Sequence, residues 1–143
     1  MKIPGKCLCG AIQFSVVPKA FHSHGCHCSM CRRQSGSLTL TVSCQGPPEF
    51  EKGKDLLTTF KSSEWGERCF CSTCGTNLFH NSPSFGYFGV SAGALDEQDK
   101  LTLEQEIYID QKPNYYSFQG DHKRLTEAEF LASLGSNDEK EKE

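Results

Sequence analysis

Seven of the nine cysteines stand in three short clusters, and this spacing constrains the fold more than any other feature of the chain. In chain order the clusters are C-x-C, C-x-C-x-x-C and C-x-x-C, formed by Cys7 and Cys9, by Cys26, Cys28 and Cys31, and by Cys71 and Cys74. Tetrahedral zinc binds thiolate sulfur at about 2.3 Å, so the sulfurs of one site lie within about 4 Å of one another. Cysteines this close in sequence can meet that demand, and the pattern predicts two zinc ions per chain.

The setting of the cysteines argues against a disulfide framework. Their number is odd, and the segment after Met1 shows neither the apolar core of a signal peptide nor a membrane-spanning apolar run. We therefore expect a cytoplasmic protein without membrane association, in a compartment that keeps cysteines reduced. The spacings also differ from those of ferredoxin iron–sulfur sites.

Length and charge narrow the remaining classes of protein. A chain of 143 residues is about the size of one domain, and we predict a single domain over residues 1–135. The net charge is −3 and the isoelectric point is near 5.9, which provides no broad basic surface for phosphates. Nucleic acid is not an expected partner, and the oligomeric state is left open.

Counting the ligands makes the two metal sites unequal. Two closed tetrahedral sites need eight ligands, and the clusters supply seven. The three cysteines at positions 26–31 lie close enough in sequence to gather on one ion, which leaves the two distant pairs to close the other. We therefore predict a closed structural site at Cys7, Cys9, Cys71 and Cys74, and an open site at Cys26, Cys28 and Cys31. An open position is what separates catalytic zinc from structural zinc.

Another residue could supply the eighth ligand and make both sites structural. The candidates are His22, His24, His27, Cys44 and Cys69. His27 lies between two cysteines of an extended segment and should point away from them. Cys44 is expected to be a small buried hydrophobe, while Cys69 shares a strand face with Cys71 and could approach the four-cysteine zinc.

Hydrophobic alternation predicts an all-β, loop-rich fold. The clearest strand covers Ser37–Cys44, and residues 11–17 show the same period of two. Further strands are predicted over Leu57–Lys61, Glu67–Cys71, Asn77–His80, Gly86–Ser91 and Leu103–Ile109. Thr126 and Glu129 form a capping-box pattern for a short C-terminal helix that Gly135 would end, and residues 136–143 are predicted to be a disordered charged tail.

Three motifs resemble the glutathione-dependent formaldehyde-activating enzyme (GFA) family, whose domain also occurs in centromere protein V. They read GKCLCG from Gly5, CHCSMCR from Cys26 and FCSTCG from Phe70, with a weaker match over Gly93–Asp96. The resemblance implies an Mss4-like all-β fold, a structural zinc at the two cysteine pairs and a second zinc at the triplet. It also implies condensation of glutathione with formaldehyde, a carbon–sulfur lyase activity. Residues 112–116, where a tryptophan would be expected, read KPNYY.

The predicted chemistry follows from the open site. A thiol entering the fourth position of zinc would be deprotonated there and could attack an aldehyde carbonyl beside it. Arg32, Arg33 and Arg68 are candidates to hold the carboxylates of glutathione. The alternatives are a protein that binds a thiol without turnover and one with two purely structural zinc sites.

Overall fold

The computed structural model describes residues 1–142, with the side chains of residues 1–134. Contacts divide the chain into two compact units: unit 1 is Met1–Ser23 and Leu40–Thr102, and unit 2 is His24–Thr39 and Leu103–Glu143. The predicted domain over residues 1–135 stays a prediction. The predicted helix end at Gly135 is wrong, because the helix continues to Lys142. The predicted tail over residues 136–143 stays a prediction.

Unit 1 is built from antiparallel strands. Its first sheet has the order β1-β2-β5, with β1 at Ile3–Lys6, β2 at Gln13–Val16 and β5 at Glu49–Lys52. Its other strands have the order β4-β9-β8-β7-β6 and cover Thr39–Cys44, Tyr87–Ser91, Asn77–Ser82, Glu67–Cys71 and Leu57–Lys61. The all-β prediction is confirmed.

Aromatic side chains join the two sets of strands in unit 1. Phe14 of β2 meets Phe79 of β8 edge to face at 4.9 Å between ring centroids, and Phe50 of β5 meets the same ring at 5.9 Å. Such pairs are worth about 0.5–1.5 kcal/mol beyond the area they bury. Ile12, Val42, Leu78 and Val90 fill the same core. This core fixes the ends of β1 and β7, where the two cysteine pairs begin.

Cys44 and Cys69 both belong to this core. Burial raises the pKa of Cys44 to about 11, as expected for a thiol that packs as a small hydrophobe. Cys69 is buried on β7, where its sulfur lies 3.5 Å from the hydroxyl of Thr59. Neither thiol belongs to a cysteine cluster of the described residues.

Unit 2 holds the cysteine triplet. It contains most of β3 (His22–Cys26) and β10 (Thr102–Ile107), together with α1 (Ser29–Ser35), β11 (Lys123–Leu125) and α2 (Glu127–Lys142). The strand order is β11-β10-β3, and β10 pairs with β11 in parallel. The capping box is confirmed: Thr126 N–H donates to Glu129 Oε1 at 3.0 Å, and Glu129 N–H donates to Thr126 Oγ1 at 3.1 Å. Among the described residues, no helix is both long and apolar enough to cross a membrane.

Several elements went unpredicted because their sequences carry little alternation. β1 contains Pro4, which an edge strand tolerates because one row of its N–H groups has no ladder partner. β3 reads HSHGC and has no apolar stripe. Helix α1 spans only seven residues, below the length at which helical periodicity is visible. β5 and β11 were also missed.

Candidate metal centres

The first cluster unites the two cysteine pairs that the sequence assigned to one ion. The sulfurs of Cys7, Cys9, Cys71 and Cys74 all lie within 4.8 Å of one another. Cys9 Sγ is 3.6 Å from Cys7 Sγ and 3.9 Å from Cys71 Sγ. A tetrahedron of sulfurs at zinc–sulfur distance has an edge of about 3.8 Å, whereas a disulfide bond is about 2.05 Å long. The spacing fits four ligands of one metal, and none of the nine cysteines is in a disulfide.

Each pair sits in a tight turn closed by a left-handed glycine. Gly10, with φ of 78°, donates its N–H to Cys7 O at 3.1 Å, and Gly75, with φ of 79°, donates to Cys71 O at 2.8 Å. Residues 8–9 form a turn rather than an extended segment. The turn aims the N–H of Ile12 at Cys7 Sγ, 3.3 Å away.

Thr76 ties the two turns together through its hydroxyl. Its Oγ1 accepts the N–H of Leu8 at 3.0 Å and lies 3.1 Å from Cys74 Sγ. A hydroxyl that accepts this N–H still carries one O–H, which can donate to the Cys74 sulfur. This bond is the main reason why the pKa of Cys74 is lowered to about 5. A sulfur that is readily ionised is suited to bind a cation.

The second cluster brings Cys26, Cys28 and Cys31 within the same 4.8 Å limit. Cys26 ends β3, Cys28 caps helix α1, and Cys31 lies in the first turn of that helix. The Cys28 sulfur accepts the N–H of Cys31 at 3.4 Å, so the thiol takes the place of the usual oxygen cap. The helix ends at Gly36, whose φ is 81°.

Ionising all three thiols of the triplet is electrostatically unfavourable, because their sulfurs lie close together. The neighbouring sulfurs of Cys28 and Cys31, together with burial, raise the pKa of Cys26 well above its ordinary value. A cation that offsets their negative charge favours the ionised form of all three thiols. The donor set fits a soft divalent ion such as zinc.

The described residues place three ligands in this cluster and no fourth. His27 lies between Cys26 and Cys28, but both of its ring nitrogens face other groups: Tyr116 Oη at 2.8 Å and Glu106 Oε1 at 2.7 Å. His24 faces Glu104 Oε2 at 3.5 Å instead. His27 points away from the sulfurs, as expected for the middle residue of a C-x-C on extended chain.

The three predicted arginines occupy different surroundings. Arg32 lies on α1, and its Nε donates to the carbonyl of His27 at 2.9 Å, which holds the guanidinium beside the triplet. Arg33 is exposed. Arg68 is buried on β7 in unit 1, a different unit from the triplet. A role for any of them in substrate binding stays a proposal.

Tyr108, which was not predicted to be a site residue, interacts electrostatically with the three cysteines of the triplet. It is the single described residue other than glycine with positive φ, at 56°, a costly conformation for a bulky side chain. Burial, Glu127 and the three cysteines together raise the pKa of Tyr108. Its ring lies 5.9 Å from that of Phe130 on α2. No sequence pattern signals this position.

The fold and the two clusters define a class: an all-β, cysteine-rich protein with one closed and one open candidate metal site. The chain matches the family described as glutathione-dependent formaldehyde-activating enzyme over residues 2–111 and belongs to that family.

The chain is similar to other proteins over most of its length. It is 29% identical over 132 residues to a Schizosaccharomyces pombe protein named "Uncharacterized lyase", covering 91% of this chain and 95% of that protein. It is 30% identical over 129 residues to a Halomonas elongata protein named "Putative glutathione-dependent formaldehyde-activating enzyme", with 83% and 82% coverage. A crystal structure of a Rhodobacter sphaeroides protein superposes with a TM-score of 0.56 at 28% identity, covering 66% of this chain and 88% of that one.

Proposed function

We propose that this protein is a zinc-dependent carbon–sulfur lyase of the S-(hydroxymethyl)glutathione synthase type. The observation that carries the proposal is the contrast between the clusters: one gathers four cysteine sulfurs, the other three, with no fourth ligand among the described residues. Family membership and the names of the relatives support the substrate pair of glutathione and formaldehyde. The setting would be the cytoplasm, where small thiols stay reduced.

The two sites would divide structure from chemistry. Cys7, Cys9, Cys71 and Cys74 would hold a structural zinc that links the start of unit 1 to its middle. Cys26, Cys28 and Cys31 would hold the second zinc, which when bound lowers the pKa of a thiol that joins it.

The reaction needs no oxidant or reductant. The S–H bond of the thiol breaks, a bond forms between its sulfur and the aldehyde carbon, and the proton ends on the former carbonyl oxygen. Arg32 would hold a glutathione carboxylate, because its Nε is fixed by the His27 carbonyl while the outer nitrogens of a guanidinium are suited to carboxylates. Arg33, next in sequence and exposed, is a second candidate.

The test is to mix zinc-loaded protein with glutathione and ¹³C-formaldehyde and to follow the adduct by exchange NMR. The protein should raise the rate of adduct formation above the spontaneous rate, and Cys31→Ala should abolish the gain. Cys44→Ala is the matched control, since it removes a buried thiol outside both clusters.

No acceleration by protein that carries two zinc ions would refute the lyase proposal. Calorimetry with glutathione then separates the remaining functions. Heat of binding without turnover would identify a thiol-binding protein, and no heat would indicate two structural sites.

A further inference from the structure

The residue between two of the triplet cysteines is held by a buried polar network. His27 is fully buried and Glu106, on β10, is 1% exposed. Glu106 Oε1 lies 2.7 Å from His27 Nε2, and Glu106 Oε2 lies 2.6 Å from His122 Nε2 and 3.2 Å from Arg124 Nε. One carboxylate therefore serves two histidines and an arginine.

His27 is held at four points. Besides the bonds of its ring to Glu106 and Tyr116, its N–H donates to Ile107 O at 3.2 Å and its carbonyl accepts Arg32 Nε at 2.9 Å. Two of these four bonds come from adjacent residues of β10, one from a side chain and one from the backbone. The backbone angles of His27 set the directions of the side chains on either side of it. Those side chains are Cys26 and Cys28.

A buried carboxylate is costly unless it is fully paired, so its presence here requires a compensating arrangement. Burial alone would raise the pKa of Glu106, but hydrogen bonds from His122 and His27 outweigh it and keep the pKa below its ordinary value. The carboxylate is thus a charged anchor. Nothing in the lyase chemistry described above uses it.

We propose that Glu106 is a positioning residue of the three-cysteine site: by fixing His27 it presets the separation of the Cys26 and Cys28 sulfurs and thereby the metal affinity of that site. The inference rests on the proposed second metal site but not on catalytic turnover. Groups that hydrogen-bond a metal ligand directly commonly change metal affinity by about 10–100-fold. Glu106 acts on the ligands through His27, so we expect an effect at the lower end of that range.

The experiment compares Glu106→Gln with Glu104→Gln in the full-length protein, with Co²⁺ and Zn²⁺ as probes. Glu104 is the matched control, because it lies two residues earlier on the same strand and also faces a histidine, His24. Glu106→Gln should retain one tightly bound ion at the four-cysteine site. At the second site it should lose about tenfold in affinity and alter the thiolate-to-cobalt absorption band. Glu104→Gln should match the parent protein in both measurements.

The proposal would be overturned if the metal affinity of the second site stays within twofold of the parent value and the cobalt absorption band is unchanged. An equal loss at both sites would also overturn it, because that result would show a general loss of structure. If Glu106→Gln does not fold, Tyr116→Phe decides, since it removes only the hydroxyl at His27 Nδ1. A several-fold loss confined to the second site would support positioning, and no loss would reject it. Because these measurements require no turnover, they can succeed even if the lyase assay fails.

Discussion

Gly10 and Gly75 occupy equivalent places in the two turns of the four-cysteine cluster. Each follows the last cysteine of its pair, has a φ near 80°, and donates its N–H to the carbonyl of the first cysteine. The two turns differ by one residue in length, yet they end in the same conformation. In both turns the left-handed glycine thus closes the loop and directs the two sulfurs of the pair toward a common point.

Gly75→Ala tests the role of the left-handed glycine in the second turn. A Cβ at Gly75 would meet no atom within 4 Å, so the expected cost is the left-handed conformation alone, about 1–2 kcal/mol in unfolding free energy. Gly93→Ala is the control, since its Cβ also meets open space but its φ is not positive. Urea unfolding of the zinc-loaded proteins measures both. An equal cost at the two positions would contradict the role given to Gly75.

The division of the cysteines into two sites predicts unequal consequences of losing one ligand. Cys31→Ala should fold and bind one zinc ion, because the four-cysteine site remains complete. Cys71→Ala should unfold or aggregate, since a structural zinc site supplies about 10 kcal/mol or more in metal-dependent peptides. Zinc content by mass spectrometry and far-UV circular dichroism give the readout. Loss of both ions in both variants would show that the sites are not independent.

Arg32 and Arg33 should differ in their effect on glutathione. Arg32 is oriented by the His27 carbonyl beside the triplet, whereas Arg33 is exposed. Arg32→Ala should weaken glutathione binding by about tenfold, the worth of one charge-assisted hydrogen bond. Arg33→Ala should change it less than twofold. Calorimetry measures both constants, and equal effects would reject the assignment to Arg32.

The lowered pKa of Glu106 predicts a pH dependence of stability. A carboxyl whose folded pKa lies below its ordinary value of 4.5 stabilises the fold above that value, and the contribution is lost as the pH falls through the folded value. Glu106→Gln should therefore cost about 2 kcal/mol at pH 7 and progressively less below pH 4.5. Paired urea titrations at several pH values measure the difference. A difference that stays constant with pH would contradict the prediction.

The sequence by itself determined the grouping of the cysteines: the triplet lies within six residues, and counting four ligands per site left the two distant pairs for the other cluster. Several strands were also predictable: β6 and β7 have the predicted bounds, although β6 is mostly exposed and the burial of β7 does not alternate along the strand. The capping box at Thr126 was predictable as well, because its two residues are only three positions apart in the sequence.

Tertiary structure alone decided the surroundings of the open site. Glu106 and Tyr116 are 79 and 89 residues from His27 in sequence, and no local pattern connects them. The same holds for the left-handed Tyr108, which no turn motif announces. Spacing over a few residues determines which cysteines can bind the same ion. The pairing of β10 with β3 determines which side chains surround the three-cysteine site. That pairing depends on contacts between residues that are distant in the chain.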